Sequence, residues 1–181
     1  MKKCSFIGHR KIDITDELKL RLESIIEKLI NKGVDTFIFG SKSEFNSLCY
    51  EVVLDMQKKY PLIERVVYKL PSEYYFTSKS EKEKYDEIMQ NIVKNNFKNF
   101  YYDKVISINN NYWNAYVVRN KKMIDDSDIC IFYYDENYLP VKRNYRQTQS
   151  GTNIAFNYAK AKNKVIINIL ENWEYKKVYF V

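Results

Sequence analysis

Short apolar runs alternate with amphipathic stretches along this chain of 181 residues, and this alternation limits its fold more than any other feature. Runs such as Cys4–Ile7, Thr36–Phe39 and Ile129–Tyr133 predict buried strands. The stretches between them carry apolar residues every three or four positions, which predicts helices. Repeated β–α units of this kind predict a Rossmann-like three-layer α/β sandwich, with a mostly parallel sheet of about six strands flanked by helices.

The boundaries of the elements follow from the same pattern. The first helix is expected to start near Thr15 and to bury Leu18, Leu22, Ile25, Ile26 and Leu29. Further strands are predicted at 63–70, 104–108 and 165–169, and further helices at 45–60, about 81–97, 113–124 and 151–160. The length suits one domain over residues 1–181, with residues 172–181 as an edge strand or an interface tail.

Composition narrows the class of protein. Three dispersed cysteines among apolar neighbours predict buried free thiols. Because the sequence also predicts no signal peptide and no membrane span, we expect a cytoplasmic protein. The net charge of +7 does not favour a nucleic-acid partner, because the lysines are scattered and paired with glutamates. The many aromatic residues predict a homodimer, base stacking or simple covering of the core.

Three turns at predicted strand ends carry candidate binding residues, because ligands of open α/β sheets bind outside the carboxyl ends of the strands. These turns contain Gly8, His9 and Arg10; Gly40, Ser41, Lys42 and Ser43; and Ser150, Gly151, Thr152 and Asn153. Glycine allows close approach to the backbone, arginine binds phosphate or carboxylate, and a helix amino terminus attracts anions. The alternatives are a surface arginine at the first turn and ordinary helix caps at Ser43 and Ser150.

A fourth candidate lies on the helix before strand five. The apolar stripe of that helix includes Asn120, next to Arg119, and a polar residue in such a stripe needs a partner. Ligand contact and a hydrogen bond within the core are both open for Asn120. One histidine and scattered cysteines predict no metal site, and we expect no cofactor.

The segments Phe6–Arg10, Gly40–Glu51, Arg119–Asp125 and Ser150–Thr152, in that order, resemble the SLOG superfamily and most closely its YpsA-like branch. The resemblance runs from the first strand to about Ile169. Members of this superfamily are Rossmann-like relatives of cytokinin-activating phosphoribohydrolases and of DprA DNA-processing proteins. The resemblance therefore implies a nucleotide-derived ligand.

Two departures from the family patterns bear on function. The second turn, usually rich in glycine in that branch, here reads Gly40 to Phe45, and the phosphoribohydrolase pattern would place its catalytic glutamate at Ala155. We therefore expect a sensor or regulatory module that binds a phosphate-bearing, nucleotide-derived molecule. Hydrolysis of an N-glycosidic or phosphate bond, with His9 or an unidentified carboxylate as the acid/base, is the first alternative, and a DprA-like association with DNA is the second.

Overall fold

Six parallel strands form one sheet whose order is β4-β3-β2-β1-β5-β6. The computed structural model describes residues 2–40, 43–70, 101–105, 114–138 and 150–170. The strands are β1 Lys2–Gly8, β2 Val34–Phe39, β3 Glu64–Lys69, β4 Tyr101–Val105, β5 Ile129–Tyr133 and β6 Val165–Asn168. The helices are α1 Asp16–Asn31, α2 Glu44–Lys59, α3 Ala115–Asp125 and α4 Gly151–Ala161. The predicted parallel α/β sandwich is confirmed.

Helices cover both faces of the sheet because successive side chains of each strand point to opposite sides. Phe6 of β1 packs with α1 and α2, whereas its neighbour Ile7 packs with α3 and α4. Phe6 is 0% exposed and Ile7 is 2% exposed, so both side chains are buried. Burial on both faces explains why these strands read as continuous apolar runs.

The first two helices begin where the sequence gives them a cap. Thr15 accepts a hydrogen bond from the amide of Leu18, and Ser43 accepts one from the amide of Asn46. The five apolar positions predicted for α1 are the ones that it buries. In α2 the polar residues Asn46 and Gln57 are buried as well, which the apolar pattern did not predict.

Some predicted elements differ from the structure or lie outside the described residues. Strand β4 begins at Tyr101, where it pairs with Arg65, three residues before the predicted start at Lys104. The helix predicted at 81–97 and the tail 172–181 are outside the described part of the chain. Within the described part, no helix combines the length and the apolar composition that a membrane crossing requires.

Candidate functional site

The carboxyl ends of β1 and β5 lie side by side, at the point of the sheet where the strand order reverses. From β1 the chain builds the sheet outward through β2, β3 and β4, and it then returns to add β5 on the other side of β1. Gly8 at the end of β1 is paired with Tyr133 at the end of β5. In open α/β sheets this is where ligands bind. The residues that follow Gly8 and Tyr133 are therefore the first to consider.

His9 follows β1 directly and is buried against the segment after β5. It is 1% exposed, and its backbone amide donates to the carbonyl of Tyr133 at 3.4 Å. The backbone N–H of Asp135 donates to His9 Nε2 at 3.0 Å. The imidazole ring also stacks on Tyr138, with the ring centroids 3.9 Å apart. His9 thus joins the end of β1 to the turn that follows β5.

Burial also sets the charge of His9. Desolvation lowers the pKa of the imidazole from its usual value, against the smaller opposing effects of the Asp135 backbone carbonyl, 3.2 Å from Nε2, and of the Asp135 charge. The ring is therefore neutral near pH 7. Arg10 beside it is exposed, so the permanent positive charge of this turn belongs to Arg10 and not to His9.

Two of the glycines at this edge lie against side chains of the protein itself. A Cβ added at Gly8 would lie 2.4 to 2.7 Å from atoms of Phe45, the second residue of α2. A Cβ added at Gly40 would lie 2.9 to 3.3 Å from the guanidinium of Arg119. Gly8 therefore lets α2 approach β1, and Gly40 lets Arg119 cross the end of β2. Close packing accounts for both glycines without a ligand.

Arg119, and not Asn120, is the buried polar residue of α3. Its side chain is 4% exposed, and its guanidinium lies 5.1 Å from the ring centroid of Tyr116. Asn120 is half-buried and accepts a hydrogen bond from Arg119 Nη2 at 3.4 Å. Ile124, a member of the predicted stripe, is buried as expected, but Arg119 and Met123 face inward beside it while Asn120 does not.

The start of α2 is already occupied by groups of the protein. Ser43 acts as its cap, and the amide of Glu44 donates to the carbonyl of Arg10 at 3.0 Å. The Glu44 carboxylate accepts hydrogen bonds from Lys11 and from the Ile12 amide, which lower its pKa. A negative charge therefore sits at this helix terminus, which disfavours a second anion. Ser41 and Lys42 lie outside the described residues.

Asn46 is a site residue that the sequence analysis missed. It is 7% exposed, its Oδ1 accepts from the Gly40 amide at 2.8 Å, and its Nδ2 donates to Ser43 at 2.7 Å. It therefore fixes the turn between β2 and α2. The signal in the sequence was a polar residue directly after Phe45, three positions beyond a serine cap.

The start of α4 differs from that of α2 because no acidic residue lies in its first turn. Ser150 caps it by accepting from the Asn153 amide at 3.1 Å, which is the helix-cap role given above as the alternative for this turn. Within the described part of the chain, no atom lies within 4 Å of a Cβ added at Gly151. Thr152 behind it is 7% exposed. The positive end of this helix dipole is thus not neutralised by its own first turn, and Gly151 faces open space.

Tyr134 links the start of α4 to the turn that holds His9. Its hydroxyl accepts from Asn153 Nδ2 at 2.6 Å, and its ring stacks on Phe156 with centroids 4.3 Å apart. Its backbone exchanges two hydrogen bonds with the side chain of Asn168, the last residue of β6, at 3.1 and 2.9 Å. Tyr134 and Asn168 were not predicted, although a tyrosine directly after a buried strand end was a usable signal.

Other chemistry has less support at this edge. Ala155, at the position of the phosphoribohydrolase glutamate, is 1% exposed and packs in the core with Phe156 and Ala159. The residues that the structure describes contain no group of histidine, cysteine and acidic side chains that could hold a metal ion. All three cysteines are buried free thiols, as predicted.

Comparison with known proteins agrees with the resemblance in the motifs. No curated protein matches the chain. A family model described as the YspA SLOG family matches residues 8–172, which include every turn described above. The chain therefore belongs to the YpsA-type family of the SLOG superfamily.

Proposed function

We propose that this protein binds a nucleotide-derived, phosphate-bearing small molecule at the carboxyl edge of the sheet and acts as a sensor or regulatory module. The observation that carries the proposal is the start of α4, where no described atom lies within 4 Å of a Cβ added at Gly151 and the first turn of the helix holds no acidic residue. A helix amino terminus with exposed amides suits a phosphate group. Family membership supports a nucleotide-related ligand.

The contrast among the glycines supports α4 over α2 as the phosphate position. Gly8 and Gly40 are explained by Phe45 and by Arg119, whereas no described residue packs against Gly151. The carboxylate of Glu44 also makes the start of α2 less favourable for an anion. We therefore assign the phosphate to residues 150–153 and treat the turn after β2 as a structural neighbour of the site.

The rest of the ligand would extend across the end of β5 towards β1. Tyr134 connects the start of α4 to the segment that packs on His9, and exposed Arg10 supplies positive charge beyond it. This arrangement needs no catalytic step, and Ala155 lies in the core. We further propose a cytoplasmic protein that needs no cofactor and acts as a homodimer, with reduced buried thiols as the support for that compartment.

A thermal-shift screen of the full chain tests this proposal. The probes are AMP, ADP-ribose and cyclic di-AMP, with inorganic phosphate as the simple anion for comparison. A probe present at 100 times its Kd stabilises the folded state by about 2.7 kcal/mol. We expect a saturable shift that is lost in Gly151→Val and reduced in Arg10→Ala.

Chromatography of the recovered probe then separates sensing from turnover. Intact ligand supports a sensor, and cleaved ligand contradicts that part of the proposal. A shift that is the same in wild type and Gly151→Val contradicts the assignment of the phosphate to α4. No shift from any probe would refute the proposed nucleotide class.

A further inference from the structure

His9 carries an unused hydrogen-bonding atom. It is the single histidine of the chain, and its Nδ1 is buried with no hydrogen-bond partner among the described residues. Buried polar side-chain atoms nearly always have a partner. Since His9 lies at the carboxyl end of β1, where the proposed ligand would extend, this atom is a candidate contact.

The tautomer of His9 follows from the contacts of its other nitrogen. A backbone N–H can only donate, so the Asp135 amide at 3.0 Å requires Nε2 to be an acceptor. A neutral imidazole with an unprotonated Nε2 carries its proton on Nδ1. The Asp135 carbonyl is also near Nε2, at 3.2 Å, but a hydrogen on Nε2 would point at an amide hydrogen that is closer. Nδ1–H is therefore the buried donor.

The surroundings of the ring disfavour a charged role. Tyr138 stacks on one face, Tyr133 meets the ring edge-on and Tyr134 lies tilted beside it. The charged residues nearest to it are Asp135, on the turn after β5, and exposed Arg10, next in the chain. Aromatic walls exclude the water that an imidazolium would need.

We propose that His9 acts as a neutral donor, giving a hydrogen bond from Nδ1–H to an uncharged oxygen of the ligand, such as a ribose hydroxyl or a base carbonyl. This inference rests on the proposed function. The ligand would then have two contact positions: its phosphate lies at the start of α4, and His9 donates a hydrogen bond to an uncharged part of the molecule. A direct contact with phosphate would instead favour the charged imidazolium.

Nuclear magnetic resonance of the ¹⁵N-labelled full chain tests the tautomer without a ligand. The single histidine gives one pair of ring nitrogen signals, so no assignment is needed. We expect a protonated Nδ1 and an acceptor-type Nε2 at pH 7.5. A ring protonated on Nε2, or a rapidly averaging mixture of both tautomers, would overturn the inference.

Addition of ADP-ribose or AMP then tests the contact. We expect the Nδ1 signal to move and the ring to remain neutral. Binding that leaves the Nδ1 signal unchanged overturns this inference but leaves the proposed function intact, and so does binding that makes the ring an imidazolium. Failure of both probes and of cyclic di-AMP to bind overturns the inference together with the proposed function.

Two variants separate the roles of the two nitrogens. His9→Gln keeps an acceptor for the Asp135 amide but removes the Nδ1 donor, so we expect stability close to wild type and affinity about tenfold weaker. His9→Asn keeps a donor near the Nδ1 position but loses the acceptor, so we expect reduced thermal stability. Equal affinity in wild type and His9→Gln would overturn the proposal.

Discussion

Replacing Gly8 with alanine is expected to destabilise the protein more than any other glycine substitution at the carboxyl edge of the sheet. The added Cβ would lie 2.4 and 2.5 Å from ring atoms of Phe45 and 2.7 Å from its Cβ. Rotation of the ring cannot relieve the last of these contacts, because Cβ does not move with the ring. Phe45 is 0% exposed, so α2 itself must shift away from β1.

The size of the effect follows from overpacking in a close-packed core. Inserted methyl groups in such cores cost about 1–3 kcal/mol, and a clash that includes a Cβ belongs at the upper end, near 3 kcal/mol. For a chain of this length, the loss corresponds to a Tm lower by about 6–12 °C. Urea unfolding followed by circular dichroism should give a midpoint lower by about 1 M.

Gly151→Ala is the matched control, because a Cβ there has no described atom within 4 Å. We expect its stability to stay within about 0.5 kcal/mol of wild type. Adding Phe45→Ala to Gly8→Ala removes two of the three closest contacts, so the Gly8→Ala penalty should fall by roughly half in that background. If Gly8→Ala were as stable as Gly151→Ala, the packing account of Gly8 would be refuted.

Two further predictions concern Arg119 and His9. Gly40→Ala should lower the stability of the fold by about 1 kcal/mol, because the added Cβ meets the movable guanidinium of Arg119 at 2.9 Å. This loss should vanish in an Arg119→Ala background, and a loss that persists there would contradict the proposed cause. The pKa of His9 is lower in the folded protein than in the unfolded chain, so the unfolded chain binds more protons at acid pH. The contribution of neutral His9 to the free energy of unfolding should therefore be fully present above about pH 6.5 and fall as the pH drops from there to the folded pKa. Urea unfolding at pH 7.5 and 5.5 measures this loss, which should be smaller in His9→Gln; an equal loss in both proteins would assign it to another group.

The sequence predicts the parallel sheet and α1 well because burial there follows a regular apolar pattern. All five apolar positions predicted for α1 are buried, and β5 has the predicted bounds. The pattern fails on α3, where a long arginine side chain is buried through its contacts with Gly40 and Tyr116. An apolar stripe cannot reveal this buried guanidinium, because the space that it fills lies beside Gly40, at the end of β2 and far away in the sequence.

The candidate site was predictable in position but not in the role of each residue. Strand ends and small-residue turns indicated Gly8, Gly40 and Gly151, and they favoured the turn at Gly151 over the turn at Gly40. The structure separates them, because Phe45 and Arg119 fill the space at the first two. Asn46 was missed because its partners, the Gly40 amide and Ser43, depend on how the turn after β2 folds. Tyr134 was missed because its partner Asn168 lies 34 residues further along the chain and becomes apparent only once β5 and β6 are paired.

The most direct test of the central claim is calorimetric titration of Gly151→Glu with AMP, ADP-ribose and cyclic di-AMP, beside wild type and Leu62→Glu. Leu62 is 90% exposed in the turn before β3, so it adds the same charge at the opposite edge of the sheet. A carboxylate in the first turn of α4 should keep or raise stability, by about 0.3–1 kcal/mol.

The same carboxylate should repel a bound phosphate by about 1–3 kcal/mol, which weakens binding roughly 5- to 150-fold. The account therefore predicts a folded Gly151→Glu protein that has lost affinity, while Leu62→Glu binds like wild type. Equal affinity in all three proteins would contradict the placement of the phosphate at the start of α4.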